Sequence, residues 1–460
     1  MRFDFHSIES VRNQLMEQAI PLVEPPKSEL RNPEVVLRDP ANGKAFCRAA
    51  FESLHIVIGG ATKPCCEFKD EIANLKETSI EEIWHSESLR DLRSKMLRDE
   101  SDARCWKCYE AEEAGGVSLR DRYNAGDKRN SDFKPREQFA EPILRTLDIR
   151  FSNLCNLSCR TCGPESSTKW FADAKRLNWS MLNATALNET FTSHSAALKV
   201  LGSALETIEG IYFAGGEPLL HEGHYAVLQE LIDRGRTDVV LTYNTNLTEL
   251  RLGKADVLPL WSKFKSVSVG ASIDGHERQG ELIREGLSWD KFVGNVSAIR
   301  KQCPHVRIYF AITVSVFNIL SLPVLCQRLR AIDPAIPAQF RFNILQEPRH
   351  YSIQILPAHM KAEAAQRLER FGKEFSSQDQ VKPVIDFMLF GDRSDEIERF
   401  RSTTLRLDDL RNRNTAETIP ELAPLLCQNP PRHLYGVAKR RLQALARTFR
   451  GAHTGVARAD

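Results

Sequence analysis

The stretch FSNLCNLSCRTCGPE, residues 151–165, places three thiols, Cys155, Cys159 and Cys162, within eight positions. It contains no fourth cysteine and no histidine that would close a four-ligand set. The run follows ILRTLDIRF, an apolar and β-branched segment that reads as a strand, so the thiols gather at a strand's carboxyl end.

From about residue 143 onward, strands alternate with helices. ILRTLDIRF, IEGIYFAGG, DVVLTYNTN, SVSVGASIDG, VRIYFAITVSV and QFRFNIL are six strand candidates, and HYAVLQELIDRGR and WDKFVGNVSAIRKQ have helical spacing. Repeated β-α units imply parallel strands with right-handed crossovers, hence an α/β fold built on an open sheet or a barrel. In such folds ligands collect at the carboxyl ends of the strands. Cys155, Gly215-Gly216-Glu217, Asn244, Asn246, Ser272 and Asp274 all fall at such ends, which assigns them to one site.

A [4Fe–4S] cube normally takes four thiolates. Three from one compact loop leave one iron open, and an open metal position marks a catalytic site rather than a structural one. A zinc site completed by a distant ligand is the alternative on spacing alone.

Cys-x3-Cys-x2-Cys at the end of a first β-strand resembles the defining motif of radical S-adenosylmethionine (SAM) enzymes, with Thr161 standing where that family commonly has an aromatic residue. The resemblance implies a partial (β/α)6 barrel and a cluster whose fourth iron is chelated by the amino and carboxylate groups of SAM. YFAGGEP, residues 212–218, resembles the family's second-strand motif; that implies backbone contacts to the methionine ammonium at Gly215 and Gly216, with Glu217 supporting the loop. Asn244, Asn246, Ser272, Asp274 and Arg284 look like the family's SAM-binding set, and Leu345 falls where such enzymes pack the adenine. The implied reaction is reductive cleavage of SAM to methionine and a 5′-deoxyadenosyl radical, which takes a hydrogen atom from the substrate.

A second cysteine group, Cys47, Cys65, Cys66, Cys105 and Cys108, precedes this core. It resembles half of the auxiliary-cluster region called SPASM, in its shorter twitch version. That implies one further [4Fe–4S] cluster on Cys47, Cys65, Cys105 and Cys108, with Cys66 competing for the place of Cys65. The twitch-like segment precedes the core here, whereas in most relatives it follows. A zinc ribbon on the same thiols is the alternative. Cys427 is a further candidate ligand, while Cys303 and Cys326 read as buried apolar groups.

The expected organisation is an N-terminal helix and linker (1–40), a twitch-like domain (45–125), the radical SAM core (140–357) and a helical C-terminal extension (358–460). Within these, FESLHIVIGGATKPCCEF reads as a hairpin turning at Gly59-Gly60, Ser79–Glu82 as a capping box, RYNAGDKRNSDFKPREQ as a linker and PRHYSIQILP as a late strand. LYGVAKRRLQALARTFR reads as a basic terminal helix packed on the domain. His221 and His224 lack a zinc-protease interval, His350 and Tyr351 read as packing residues, and no residue stands out as a catalytic acid or base.

Lys plus Arg (63) nearly balances Asp plus Glu (61) in 460 residues, which argues against a nucleic-acid or membrane-surface binder. No apolar run approaches the ~18 residues of a membrane span. The opening MRFDFHSIES lacks a secretory pattern, so the expected location is a reducing cytoplasm. The resemblance implies a flavodoxin- or ferredoxin-type electron donor and an oxidised or crosslinked peptide or protein substrate. A sugar-like metabolite is the alternative substrate, and a non-catalytic zinc-ribbon protein the alternative of another class.

Overall fold

All six expected strands form. The structure, a computed structural model, describes residues 45–113, 117–125, 141–178, 187–334 and 338–427. The expected N-terminal helix (Ser7 to Ala19), the basic terminal segment and most of the linker lie outside those residues.

The strands are β1 (Ser53–Ile56), β2 (Ala61–Lys63), β3 (Ala73–Asn74), β4 (Thr146–Arg150), β5 (Gly210–Ala214), β6 (Val240–Thr245), β7 (Val267–Ser272), β8 (Arg307–Val314) and β9 (Phe340–Ile344). They make one nine-stranded sheet in the order β9-β8-β7-β6-β5-β4-β1-β2-β3. β4 to β9 are parallel, and β1 adds to β4 in parallel, with His55 opposite Asp148. β2 and β3 follow as an antiparallel meander, with Gly59 and Gly60 at positive φ in the expected turn. The cysteine-bearing segment is therefore continuous with the core sheet.

Alternation decides the two faces. Leu147, Ile149, Phe213, Leu241, Tyr243 and Val269 are buried on one face, under helices such as Glu222–Asp233 and Trp289–Gln302. There His224 meets Tyr243 (Nε2 to Oη, 3.0 Å), and burial pushes its pKa down to about 3. The other face carries His55, Asp148, Arg150, Tyr212, Asn244 and Tyr309, several only half-buried.

Some segments differ from expectation. The capping box at Ser79 and Glu82 opens a short helix, Ile80–Trp84, and the chain restarts as Glu87–Leu97, because Ser86 caps Leu89 N (3.4 Å). RYN of the supposed linker belongs to the helix Leu119–Asn124. PRHYSIQILP is not a strand but two 3-10 turns, Arg349–Tyr351 and Ile353–Ile355. Its apolar residues are buried without alternation, and Ser352 draws the chain into a turn by accepting from Gln354 N (3.3 Å). Cys303 and Cys326 are buried as expected. Among the described residues no helix is long and apolar enough to cross a membrane.

Candidate functional site

The three-cysteine loop leaves β4 and is held on every side. Ser158–Cys159 pairs with Arg284–Glu285 in a two-residue antiparallel ladder, and Arg160 N donates to Ile283 O (2.7 Å). Trp170 Nε1 donates to Cys159 O (2.7 Å). Arg160, 1% exposed, donates through Nη2 to Asp408 and through Nε to Leu282 O (3.1 Å). Asp408 also accepts from Thr415 N (2.7 Å) and Thr415 Oγ1 (2.8 Å). Arg411 lies over Trp170 (4.5 Å) and pairs with Asp173 (2.8 Å). The helix Ile397–Arg411, over 240 residues downstream (the Arg160–Asp408 separation is 248), thus clamps the loop from behind. No local pattern announces this role.

The next strand ends lock onto the same loop. Gly215 and Gly216 have φ of +78° and +54°. A Cβ on Gly216 would stand 2.4 Å from Leu154 O, so only glycine allows this approach. Glu217 N donates to Leu154 O (2.7 Å), and the buried Glu217 carboxylate accepts from Thr245 Oγ1 (2.6 Å), Asn246 N (2.7 Å) and Leu219 N (3.1 Å). Burial pushes its pKa up to about 7 against those hydrogen bonds. Glu217 thus supports the loop from beneath.

Asn246 donates through Nδ2 to Asn156 Oδ1 (2.9 Å), lies 3.9 Å from Cys155 Sγ, and accepts from Thr248 N (2.9 Å). Asp274 Oδ1 accepts from Thr313 N (2.7 Å), and its other oxygen lies 2.8 Å from Arg284 Nε. Arg284 Nη1 reaches Cys159 Sγ at 4.0 Å. Asn246 is therefore tied to the loop directly, and Asp274 through its pairing with Arg284. Ser272 and Leu345 stand at the ends of β7 and β9, with Leu345 N donating to Val314 O (3.0 Å). Asn244 faces the other way, toward the open face, where Tyr309 Oη donates to its Oδ1 (3.3 Å). Gly270 makes room for this pair, since a Cβ there would stand 2.4 Å from Asn244 Oδ1.

The thiols differ in electrostatics. The neighbouring Cys162 thiol lowers the Cys159 pKa, with Arg284 adding to that, and Cys159 in turn raises that of Cys162 well above the ordinary thiol value. Burial pushes the Cys155 thiol up to about 12, and the nearby Glu217 carboxylate adds to that.

The second group is also brought together. Burial raises Cys47 to about 12, with Cys105 and Cys108 adding to it as close neighbours; burial likewise raises Cys65, with Cys47 adding. Cys66 is exposed, and its charged neighbours are Asp148, Glu67 and Arg150. Cys427 packs against the apolar core. Among the described residues, no three His, Cys, Asp or Glu side chains close around one point as a single ion's ligands.

Sequence reasoning missed the open face. His55 Nδ1 lies 2.8 Å from Asp148 Oδ2, Arg150 Nε lies 3.0 Å from Asp148 Oδ1, and the Arg150 guanidinium covers Tyr212 (5.1 Å). The only signal was the polar alternation within β4, which also fits a solvent-facing strand.

Residues 47–109 match the family model described as SPASM, an iron-sulfur cluster-binding domain. The match runs from Cys47 to one residue past Cys108. The chain is also similar to the solved structure of His6-tagged anSMEcpe with bound AdoMet, at 19% identity and a TM-score of 0.36 over 52% of this chain and 62% of that one. For Streptococcus suis SuiB bound to S-adenosylmethionine the identity is 16% and the TM-score 0.32, over 63% of this chain and 60% of that one. For SuiB bound to precursor peptide SuiA they are 14% and 0.31, over 55% and 62%. This chain spans less than two thirds of the length of those structures. No curated protein matches the sequence.

Proposed function

We propose that the chain is a radical SAM enzyme whose core, residues 140–357, forms a partial (β/α)6 barrel, preceded by a twitch-like auxiliary segment over 45–125 and followed by a helical extension. In this reading Cys155, Cys159 and Cys162 hold a [4Fe–4S] cluster completed by SAM, and Cys47, Cys65, Cys105 and Cys108 hold a second cluster. The observation that carries the reading is the immobilised three-thiol loop, packed on a glycine pair that admits no side chain and faced by Arg284 beside Cys159.

The donor sets fit such clusters. Each is all-thiol, the ligand chemistry that iron–sulfur clusters take. A bound cluster with SAM supplies one-electron reduction and hydrogen-atom abstraction, and a closed auxiliary cluster supplies an electron acceptor. The chain's own residues hold and orient. Arg284, fixed by Asp274, sets positive charge against the Cys159 thiolate. Gly215 and Gly216 bring backbone close to where SAM's methionine would lie, and Glu217 keeps that turn in register. The face bearing Asn244 and Tyr309 would receive the substrate, with the loops at the strand ends excluding water.

The SPASM match supports an iron–sulfur centre, and the family resemblance supports a peptide or protein substrate, oxidised or crosslinked with electrons supplied to the enzyme by a flavodoxin- or ferredoxin-type donor in a reducing compartment. Protein purified without oxygen should be brown, hold iron for two cubes, and convert SAM to 5′-deoxyadenosine after reduction. Changing Cys155, Cys159 and Cys162 to Ala should abolish that conversion. Colourless protein with stoichiometric zinc, or cleavage that survives the triple change, would refute the reading.

A further inference from the structure

The strand residues on the open face of the sheet carry mostly positive charge. Register places Lys63, Asp148, Arg150, Arg307 and Arg341 on it, and Asp148 is the sole acid among these strand residues. Asp148 is occupied by His55 and Arg150. At the far side, over β8 and β9, no described carboxylate pairs with Arg307 or Arg341, and both are exposed.

Both guanidiniums are nonetheless held in place. Arg341 lies flat over the Tyr309 ring, 4.1 Å from its centroid. Stacking covers the face of a guanidinium and leaves its edge, with the N–H fork, free for a planar acceptor. Arg307 is steered by Gln339, whose Oε1 accepts from Nε (2.9 Å) and Nη2 (2.6 Å). Tyr309 is fixed in turn through its hydroxyl on Asn244, in the space that Gly270 leaves. The Arg341–Tyr309–Asn244 chain therefore connects a preorganised cation to the strand end at which SAM would sit.

We propose that Arg307 and Arg341 bind carboxylate side chains of the substrate, so that this face selects an acidic segment of an extended peptide. The inference rests on the peptide reading given above. A planar carboxylate suits a guanidinium whose ring support has already removed its rotational freedom, and bidentate pairing adds direction to charge. An arginine that merely packs on a tyrosine predicts no discrimination between an acid and its amide.

The test uses full-length protein purified without oxygen and fluorescence anisotropy of two labelled peptides: one rich in glutamate, and a twin with glutamine at each glutamate. The acidic peptide should bind tighter by on the order of 10-fold, with a preference that shrinks in salt. In Arg307→Gln/Arg341→Gln protein the two peptides should bind within about twofold of each other. Both substitutions fall on exposed side chains, and an unchanged thermal midpoint excludes misfolding. Equal binding of the twins to the unaltered protein overturns this inference and leaves the peptide reading standing. Failure of both peptides to bind removes the two together. A preference that persists in the double variant assigns it to another surface and overturns the inference. So does loss of SAM binding with the preference intact, which would give Arg341 to the SAM carboxylate.

Discussion

His55 Nδ1 lies 2.8 Å from Asp148 Oδ2, across the parallel junction between β1 and β4. This contact joins the SPASM-matching segment to the strand that launches the three-cysteine loop. Both side chains are largely buried, and Asp148 also holds Arg150. Removing the carboxylate takes the acceptor from Arg150 (Nη2 to Oδ2, 3.1 Å) and the ion-pair partner from the buried His55 ring. Asp148→Ala should therefore destabilise the protein by about 1–3 kcal/mol. Urea unfolding measures this directly, and a midpoint equal to that of the unaltered chain would remove the pair as a structural tie.

The Arg160–Asp408 pair is the deeper clamp. Arg160 sits inside the cysteine loop, and Asp408 reaches it from the helix Ile397–Arg411. Breaking a buried ion pair by removing one partner typically costs about 3–5 kcal/mol, because a charge stays buried alone. Asp408→Ala should show a loss of that order and should release iron from the loop faster on challenge with a chelator. Replacing both Arg160 and Asp408 by leucine should cost less than the sum of the single changes. Additive effects in such a cycle would show that the two residues act separately.

Much of this arrangement could be read in advance, for identifiable reasons. The six core strands alternate or run apolar, and Gly215-Gly216-Glu217 falls where a strand must end. Both signals are local. The roles of the site residues were less legible because they depend on partners far along the chain. Asn246 and Asp274 look like free polar groups at strand ends, yet Asn246 bonds to Asn156 in the loop and Asp274 is taken up by Thr313 N and Arg284. Asp408 sits in a charged helix with nothing nearby to mark it. Tyr309 and Arg341 meet only because β8 and β9 pair in a particular register. PRHYSIQILP carries strand-forming residues but folds as turns, since Ser352 captures the backbone locally.

Glu217 predicts a pH dependence. Its folded pKa is raised to about 7 from an ordinary value of 4.5 by burial. Between those values the folded state holds a proton that the unfolded chain releases, so stability must fall as pH rises. It is greatest below about 4.5 and is lost as pH passes through about 7. The change for this group is about 3 kcal/mol, at 1.36 kcal/mol per pH unit of displacement. Iron-free protein should show this slope in urea midpoints across the window, and Glu217→Gln should flatten it. An identical slope in the variant would assign the dependence to other groups.

Cys65 and Cys66 are adjacent in sequence but stand in different surroundings, and this separates their roles. Cys65 lies close enough to Cys47 to feel its charge, and Cys47 in turn feels Cys105 and Cys108. Cys66 is exposed, with Asp148, Glu67 and Arg150 as the charges that act on it. If Cys47, Cys105 and Cys108 hold the proposed second cluster, these surroundings favour Cys65 over Cys66 as the fourth ligand. Cys65→Ala should lower bound iron as far as Cys105→Ala does, to about half that of the unaltered protein, because one cube of the two is lost. Cys66→Ala should leave iron content unchanged. In the Cys65→Ala and Cys105→Ala proteins some cleavage of SAM should persist, since the loop at Cys155, Cys159 and Cys162 is untouched. Iron and acid-labile sulfide assays on oxygen-free samples decide the matter. Loss of iron in Cys66→Ala with retention in Cys65→Ala would exchange the two assignments.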